Sequence, residues 1–242
     1  MTNTTGQLFL VSAGIGDADN ITLRAQKIVA SADIVFAMDF VRDQFTDLLA
    51  DKEVHNSGHG LFTKLSINTG SKNQENTIRR IIREGYTAGK TIVIMDFGDP
   101  TMYSPQSSYL KEFADLQPKI IPGISSFNAS NAAIGCELTG SYNRAVIITE
   151  AMQNWDGARE RLQKLAATQS TLAFFSMRLD LKQVVSDLKQ HYPASTPVAI
   201  VTHAGFADKE SVIRGTLNTI IEQTQNTPLP WQNMIYVGDF LN

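Results

Sequence analysis

The 242-residue sequence predicts an α/β protein organised as two α/β domains. Short apolar runs with strand character alternate with stretches whose apolar residues recur at helical spacing. Four of the runs are stopped by loops rich in Gly, Asp, Ser or Pro, which punctuate strand ends. A turn-like stretch at Gly140-Ser141-Tyr142-Asn143 precedes a change of pattern, after which strands and helices resume.

The elements follow in order. Leu8–Val11 is a buried strand running into Ser12-Ala13-Gly14-Ile15-Gly16-Asp17. From Thr22 to Ala32, apolar residues fall at Leu23, Ala25, Ile28, Val29 and Ala32, a helical face with Thr22 as N-cap. Ile34–Met38 is the next strand, completing the strand–loop–helix–strand unit of parallel sheets. Asn76–Ala88 reads as a helix ending at Gly89, Thr91–Phe97 as a strand, Gln106–Leu116 as a helix and Lys119–Ile121 as a short strand. Ser125–Ile134 is a helix with a small-residue face. Ala145–Thr149, Thr171–Phe175, Pro197–Thr202 and Met234–Val237 read as strands, with helices at Gly157–Ala167 and Leu181–Tyr192. The division between domains is expected near residues 117–122, giving an N-terminal domain over 1–118 and a C-terminal domain over 119–242.

Composition narrows the function classes. Hydrophobic residues make up 43% and charged residues 19%, enough to bury a core. A net charge of −3 gives no electrostatic footprint for nucleic acid. Arg79, Arg80 and Arg83 cluster, but as a solvated helix face. The single cysteine, Cys136, excludes an intramolecular disulfide and fits a reducing, cytoplasmic compartment. No apolar run is long enough to span a bilayer, and the N-terminus does not read as a signal peptide. His55 and His59 are four apart, but Asn56-Ser57-Gly58 between them makes a helix doubtful, and the Glu of a zinc protease is missing; no metal site is expected. No Gly-Lys-Ser/Thr phosphate loop, nucleophile elbow or Cys-x-x-Cys is present.

Four loops after strands are the first places to look for a ligand. In the first, Gly14-x-Gly16 resembles half of a dinucleotide fingerprint. Its third glycine falls on Asp19, where a carboxylate would repel a pyrophosphate. The second is Gly98-Asp99-Pro100-Thr101-Met102-Tyr103, with Gly98 permitting close approach and Pro100 stiffening the turn. The third, Pro122-Gly123-Ile124-Ser125-Ser126, leads into a helix N-terminus. The fourth is Thr202-His203-Ala204-Gly205, with Arg214-Gly215-Thr216-Leu217 downstream. Each also has a purely structural reading, as a tight turn or a helix cap.

Taken in order, these segments resemble the tetrapyrrole (corrin/porphyrin) methylases. "LFLVSAGIGDADNITLRAQKIVASADIVFA" is similar to the opening motif, "EGYTAGKTIVIMDFGDPTMYS" to the Gly-Asp-Pro motif, and "IIPGISSFNASNAAIGCELT" to the Pro-Gly-(Ile/Val)-Ser-Ser motif. "PVAIVTHAGFADKESVIRGTL" resembles the late motif and "MIYVGDFL" the closing strand. The spacing is nearest to the members that methylate C11 of precorrin-4. The sequence departs from the pattern at five positions. Ser12 replaces its first glycine, Ile15 its proline, Ser104-Pro105 the Gly after Tyr, and His203 an Arg or small polar residue.

The resemblance implies two α/β domains with a ligand cleft between them, S-adenosylmethionine (SAM) as cofactor, a tetrapyrrole acceptor and a homodimer. By matched position, Gly98, Asp99, Pro100, Met102, Tyr103, Ser125, Ser126, Met177, Ala204, Gly215 and Thr216 would bind SAM. Ser12, Ala13, Gly14, Ile15 and Gly16 would face the acceptor. Methyl transfer depends chiefly on alignment. A carbon acceptor must also lose a proton, for which Asp17, Asp39 and His203 are candidate bases. Other readings stay open: the same fold and cofactor with a peptide, diphthamide precursor or RNA as acceptor; a silent SAM- or tetrapyrrole-binding protein; and a nicotinamide dehydrogenase with Asp39 as ribose partner.

Overall fold

A computed structural model of the chain describes residues 5–63, 70–139, 145–150, 157–176, 179–226 and 228–241. The chain divides into two compact units, Met1–Ser125 and Ser126–Asn242.

The first unit holds, in chain order, β1 (Gln7–Ser12), α1 (Leu23–Ala30), β2 (Ile34–Ala37), α2 (Asp39–Gln44), α3 (Thr46–Leu49), β3 (Glu53–Asn56), α4 (Lys72–Thr87), β4 (Thr91–Asp96), α5 (Ser108–Glu112) and β5 (Lys119–Ile121). Its five strands are all parallel, in the order β3-β2-β4-β1-β5. A strand turns successive side chains to opposite faces, so a strand buried on both sides is apolar throughout. β1 shows this directly. Phe9 and Val11 join Val29 of α1 and Val41 of α2 in one core, while Leu8 and Leu10 join Ile78 and Ile82 of α4 and Tyr109 of α5 in the other. Helices therefore cover both faces.

Thr22 caps α1, its side chain accepting a hydrogen bond from the Ala25 amide at 3.1 Å. Loss of such a cap costs about 1 kcal/mol. Thr22→Ala is expected to lower unfolding free energy by that amount in urea melts, with no change in ligand binding.

The second unit holds α6 (Ser126–Ile134), β6 (Val146–Glu150), α7 (Ala158–Ala166), β7 (Thr171–Phe175), α8 (Leu181–Leu188), β8 (Pro197–Thr202), β9 (Ser211–Thr216), α9 (Ile220–Thr224) and β10 (Asn233–Val237). The sheet order is β6-β7-β10-β8-β9. β6 and β7 are parallel, whereas β10 runs antiparallel to both β7 and β8, and β9 antiparallel to β8. Leu172, Phe174, Ile200 and Ile235 pack with Val184 and Leu188 of α8 on one face. On α6, the Phe127 carbonyl accepts from the Tyr236 hydroxyl at 3.1 Å and the Ile134 carbonyl from the Arg214 guanidinium at 2.5 Å.

The sequence reading and the structure differ at several elements. Lys119–Ile121 pairs with β1, so the first unit runs to Ser125 rather than stopping at residue 118. The stretch read as one helix over 106–116 is α5 followed by a 3-10 turn at Ala114–Leu116, ending at Gln117 in the left-handed region (φ 50°). β3 and β9 are edge strands without the apolar run that marks the central ones. Residues 140–143 lie outside the described residues.

Candidate functional site

The first sheet contains a topological switch. From β1 the chain crosses through α1 on one face to β2, whereas from β4 it crosses through α5 on the other face to β5. β1 and β4 are neighbours, so the loops leaving them diverge. Ligands of open α/β sheets bind beyond the carboxyl ends of strands at such a point. The loops at this position are Ser12–Asp17 and Phe97–Gln106, flanked by Pro122-Gly123 after β5.

They are laced together. The Ser12 hydroxyl donates to the Gly98 carbonyl at 2.6 Å and accepts from the Gly14 amide at 3.0 Å. The Gly98 amide donates to the Gly14 carbonyl at 2.7 Å, forming an isolated bridge between the two glycines. Both have φ near +79°, where a side chain is strained. Asp99 ties down the rest. One carboxylate oxygen accepts from the Thr101 amide at 2.7 Å and from the Thr101 hydroxyl; the other accepts from the Gly123 amide at 3.3 Å. Gly123 has no room for a larger residue, because an added Cβ would overlap the Ser12 side chain. Ser12, a departure from the family pattern, is thus the pin between two loops.

Loop one is packed inward. Ser12 through Gly16 are all buried, and Ala13 belongs to the core. The Ile15 carbonyl accepts from Asn20 at 2.9 Å and the Gly16 carbonyl from Gln44 at 2.5 Å. Gly14 is needed because a Cβ would sit 2.5 Å from the Asn20 carbonyl oxygen. Gly98 is different: a Cβ there would meet nothing within 4 Å. It is a buried glycine facing open space, the cradle expected where a ligand lies against backbone. Pro100 is buried, Met102 half-buried, and Tyr103 is exposed at φ 51°, an uncommon conformation for a bulky residue. Neither 12–22 nor 98–109 contains a lysine or arginine. That donor set fits SAM, a sulfonium cation, better than a pyrophosphate.

The remaining sequence-selected residues fall as follows. Asp17 is half-buried directly after the Gly14–Gly16 turn, and its carbonyl accepts from the Asn20 amide at 3.0 Å. Asp39 opens α2 on the surface and pairs with Arg42 at 3.1 Å. Ser125 is buried and Ser126 begins α6. In the second unit, His203 (φ 51°) and Ala204 follow β8, with the His203 amide donating to the Gln232 carbonyl at 3.0 Å. Gly215 and Thr216 lie at the other end of that strand, opposite Val198 and Pro197. The structure does not bring them to the edge that carries Ala204. Their residue types have a packing reason. A Cβ on Gly215 would press on Gln223 and Thr219, and the Thr216 amide donates to the Thr219 hydroxyl at 3.0 Å as the chain turns into α9. Met177 lies outside the described residues.

One group at this site escaped the sequence reading. Asp96 closes β4 and is fully buried. Its Oδ2 accepts from the Ser104 hydroxyl, while Oδ1 is without a hydrogen-bond partner. Burial pushes its carboxyl up to about 7, helped by the charge of Asp99 and opposed by Ser104 and the amides of Phe97 and Gln106. The available signal was an ionisable residue closing an otherwise apolar run, Thr91-Ile92-Val93-Ile94-Met95-Asp96. No group of His, Cys, Asp and Glu among the described residues is arranged to hold a metal.

Known proteins share this fold. The family model for tetrapyrrole (corrin/porphyrin) methylases matches residues 7–221. A cobalt-precorrin-4 C(11)-methyltransferase from Methanocaldococcus jannaschii is 31% identical over 243 residues, covering 98% of this chain and 88% of the relative. The X-ray structure of a cobalt precorrin-4 methyltransferase, a cobalamin biosynthetic enzyme, superposes with a TM-score of 0.79 at 26% identity, covering 98% of this chain and 96% of the other. A uroporphyrin-III C-methyl transferase from Thermus thermophilus, complexed with S-adenyl homocysteine, shares the fold. Its TM-score is 0.70 at 20% identity, over 98% of this chain and 99% of that one.

Proposed function

Because this chain belongs to the tetrapyrrole (corrin/porphyrin) methylases, we propose that it is a SAM-dependent C-methyltransferase acting on a tetrapyrrole of the precorrin-4 type. The structural observation that carries the reading is the β1/β4 switch point, where Gly98 faces open space between loops free of basic residues. SAM supplies an electrophilic methyl group on sulfur. The chain's contribution is to hold cofactor and acceptor in line and keep water out, which accounts for most of the acceleration of such a displacement.

Gly98 lets the cofactor lie against backbone, and Asp99 and Ser12 hold that backbone still. Met102 and Tyr103 border the cofactor loop, and Ser125, Ser126, Met177 and Ala204 are proposed as cofactor contacts from matched motif position alone. A base must remove the proton from the methylated carbon. Asp17 is the favoured group, because it stands on the switch-point loop directly after Gly14–Gly16. Asp17→Asn is expected to lower turnover about 100-fold while changing S-adenosylhomocysteine affinity less than about twofold, the usual range for removing a general base. Equal losses in both would assign Asp17 to binding instead.

The reading extends to a homodimer working in the cytoplasm. The lone Cys136 supports the compartment, and no helix among the described residues is long and apolar enough to cross a membrane. Light scattering would report the dimer. The principal test is calorimetric titration with S-adenosylhomocysteine and with NAD, followed by transfer of labelled methyl from SAM to cobalt-precorrin-4, precorrin-4 or uroporphyrinogen. Binding of S-adenosylhomocysteine alone, with label in one acceptor, is the expected result. Binding without transfer to any acceptor would indicate a silent binding protein, and NAD binding would overturn the cofactor assignment.

A further inference from the structure

We propose that Asp96 is a positioning residue for the cofactor loop, and that the loop binds its ligand in the state where the Asp96 carboxyl is neutral. The inference rests on the reading of Gly98–Tyr103 as the cofactor loop.

The geometry places Asp96 at the foot of that loop. Its Oδ2 accepts a hydrogen bond from the Ser104 hydroxyl, and the same Ser104 oxygen accepts from the Gln106 amide at 3.1 Å. Strand end, loop middle and loop exit are therefore joined through one carboxyl. Behind it lies a buried polar cluster. The Gln106 side-chain amide donates to the Ser57 hydroxyl at 3.1 Å and the Gly58 carbonyl at 2.8 Å, and the Tyr109 hydroxyl donates to the Ser57 carbonyl at 2.7 Å. Within this cluster, Asp96 Oδ1 and Gln106 Oε1 are both buried acceptors without a hydrogen-bond partner. A buried carboxylate oxygen without a partner disfavours a negative charge on Asp96, and a proton there turns it from an unmet acceptor into a donor.

The groups acting on Asp96 from each side are few. β1 brings Ser12, in register with it and uncharged. Behind Gln106, the loop after β3 adds Ser57 and α5 adds Tyr109, whose own hydroxyl is held neutral by burial. The cofactor loop brings Ser104 and Gln106, and also Asp99, whose carboxylate repels a second charge. No cation among the groups acting on Asp96 compensates its ionisation. Ionised Asp96 is thus a buried charge pressing on the two residues that carry the loop. Since burial sets its titration at about 7, loop order changes across neutral pH. Ser104, where the family pattern has glycine, is the partner that makes this coupling particular to the chain.

The experiment is calorimetric titration with S-adenosylhomocysteine from pH 5.5 to 8.5, alongside difference infrared spectra over the same range. For the wild type, affinity is expected to fall about tenfold or more as pH rises, following loss of a carboxylic-acid carbonyl band. Asp96→Asn should lack that band and bind with a flat profile at the low-pH affinity. Ser104→Ala, which removes a group favouring the ionised form, should move the midpoint to higher pH and guards against an Asp96 variant that does not fold. A flat wild-type profile, or an unmoved midpoint in Ser104→Ala, overturns the inference while leaving the cofactor assignment intact. If S-adenosylhomocysteine binds at no pH, the cofactor assignment falls and this inference falls with it, whatever the infrared band does.

Discussion

Gly98→Val is expected to weaken S-adenosylhomocysteine binding by about 100-fold or more, while the protein still folds. A 100-fold loss corresponds to about 2.7 kcal/mol, less than overlap of two carbon atoms with a closely seated ligand would cost. The backbone at Gly98 has φ +79°, so any side chain is strained by roughly 1–3 kcal/mol. In a chain of this size that strain lowers the melting midpoint by a few degrees per kcal/mol. Obstruction and strain separate by comparison with Gly98→Ala, which shares the strain and adds a single carbon. Nothing in the protein lies within 4 Å of that carbon. Calorimetry on both variants, with thermal melts as control, reads the two effects. Wild-type affinity in Gly98→Val would mean that the open space beside Gly98 is not where the cofactor lies.

Stability should fall with pH between about 4 and about 7 on account of Asp96. Its carboxyl is raised from an ordinary value of 3.8 to about 7 in the folded chain. Below the lower value both folded and unfolded chains hold the proton, and the residue contributes nothing to the pH dependence. Between the two values the unfolded chain has released the proton and the folded chain keeps it. The unfolded state then binds fewer protons, so unfolding free energy declines as pH rises. Above about 7 both have released it and the loss is complete, on the order of 4 kcal/mol at most. Glu53 and Asp115 act in the opposite sense. Hydrogen bonds to His55 and to Arg83, respectively, lower their values, but both are exposed and their contributions are small. Urea melts at pH 4.5, 6 and 8.5 are expected to show Asp96→Asn gaining on the wild type by a few kcal/mol across this range. A constant difference would mean that Asp96 ionises freely in the folded protein.

The central strands were readable because burial on both faces forces an uninterrupted apolar run, as in Ile92-Val93-Ile94-Met95. The Thr22 cap was readable because it works through a local hydrogen bond. The glycines of the first two loops stand out in the sequence and adopt positive φ, but only the fold distinguishes their reasons. Gly14 avoids Asn20, and Gly98 borders open space. Gly215 is marked by its motif, and the fold adds a packing reason that the motif does not show, since a Cβ there would press on Gln223 and Thr219. β3 and β9 were not foreseen, since an edge strand is half exposed and carries charge such as Glu53 and Arg214. Asp96 was passed over because a carboxylate ending a strand looks like the start of a turn. Its partners lie on the loop that folds back over the strand end, at Ser104 and Gln106, which no local pattern reveals.

The place of β10 sets an order of assembly. It is the last of the ten strands among the described residues, yet it lies in the middle of its sheet, between β7 and β8. A nascent chain that has left the ribosome only as far as Thr216 holds two separate ribbons, β6 with β7 and β8 with β9. Each has a bare edge where Asn233–Val237 will later insert. The five strands of the first sheet are by then complete, since β5 ends at Ile121. Translation at roughly 5–20 residues per second gives the N-terminal sheet several seconds to close before its neighbour can. During that interval the open ribbons are the surfaces most exposed to chaperones and to mispairing.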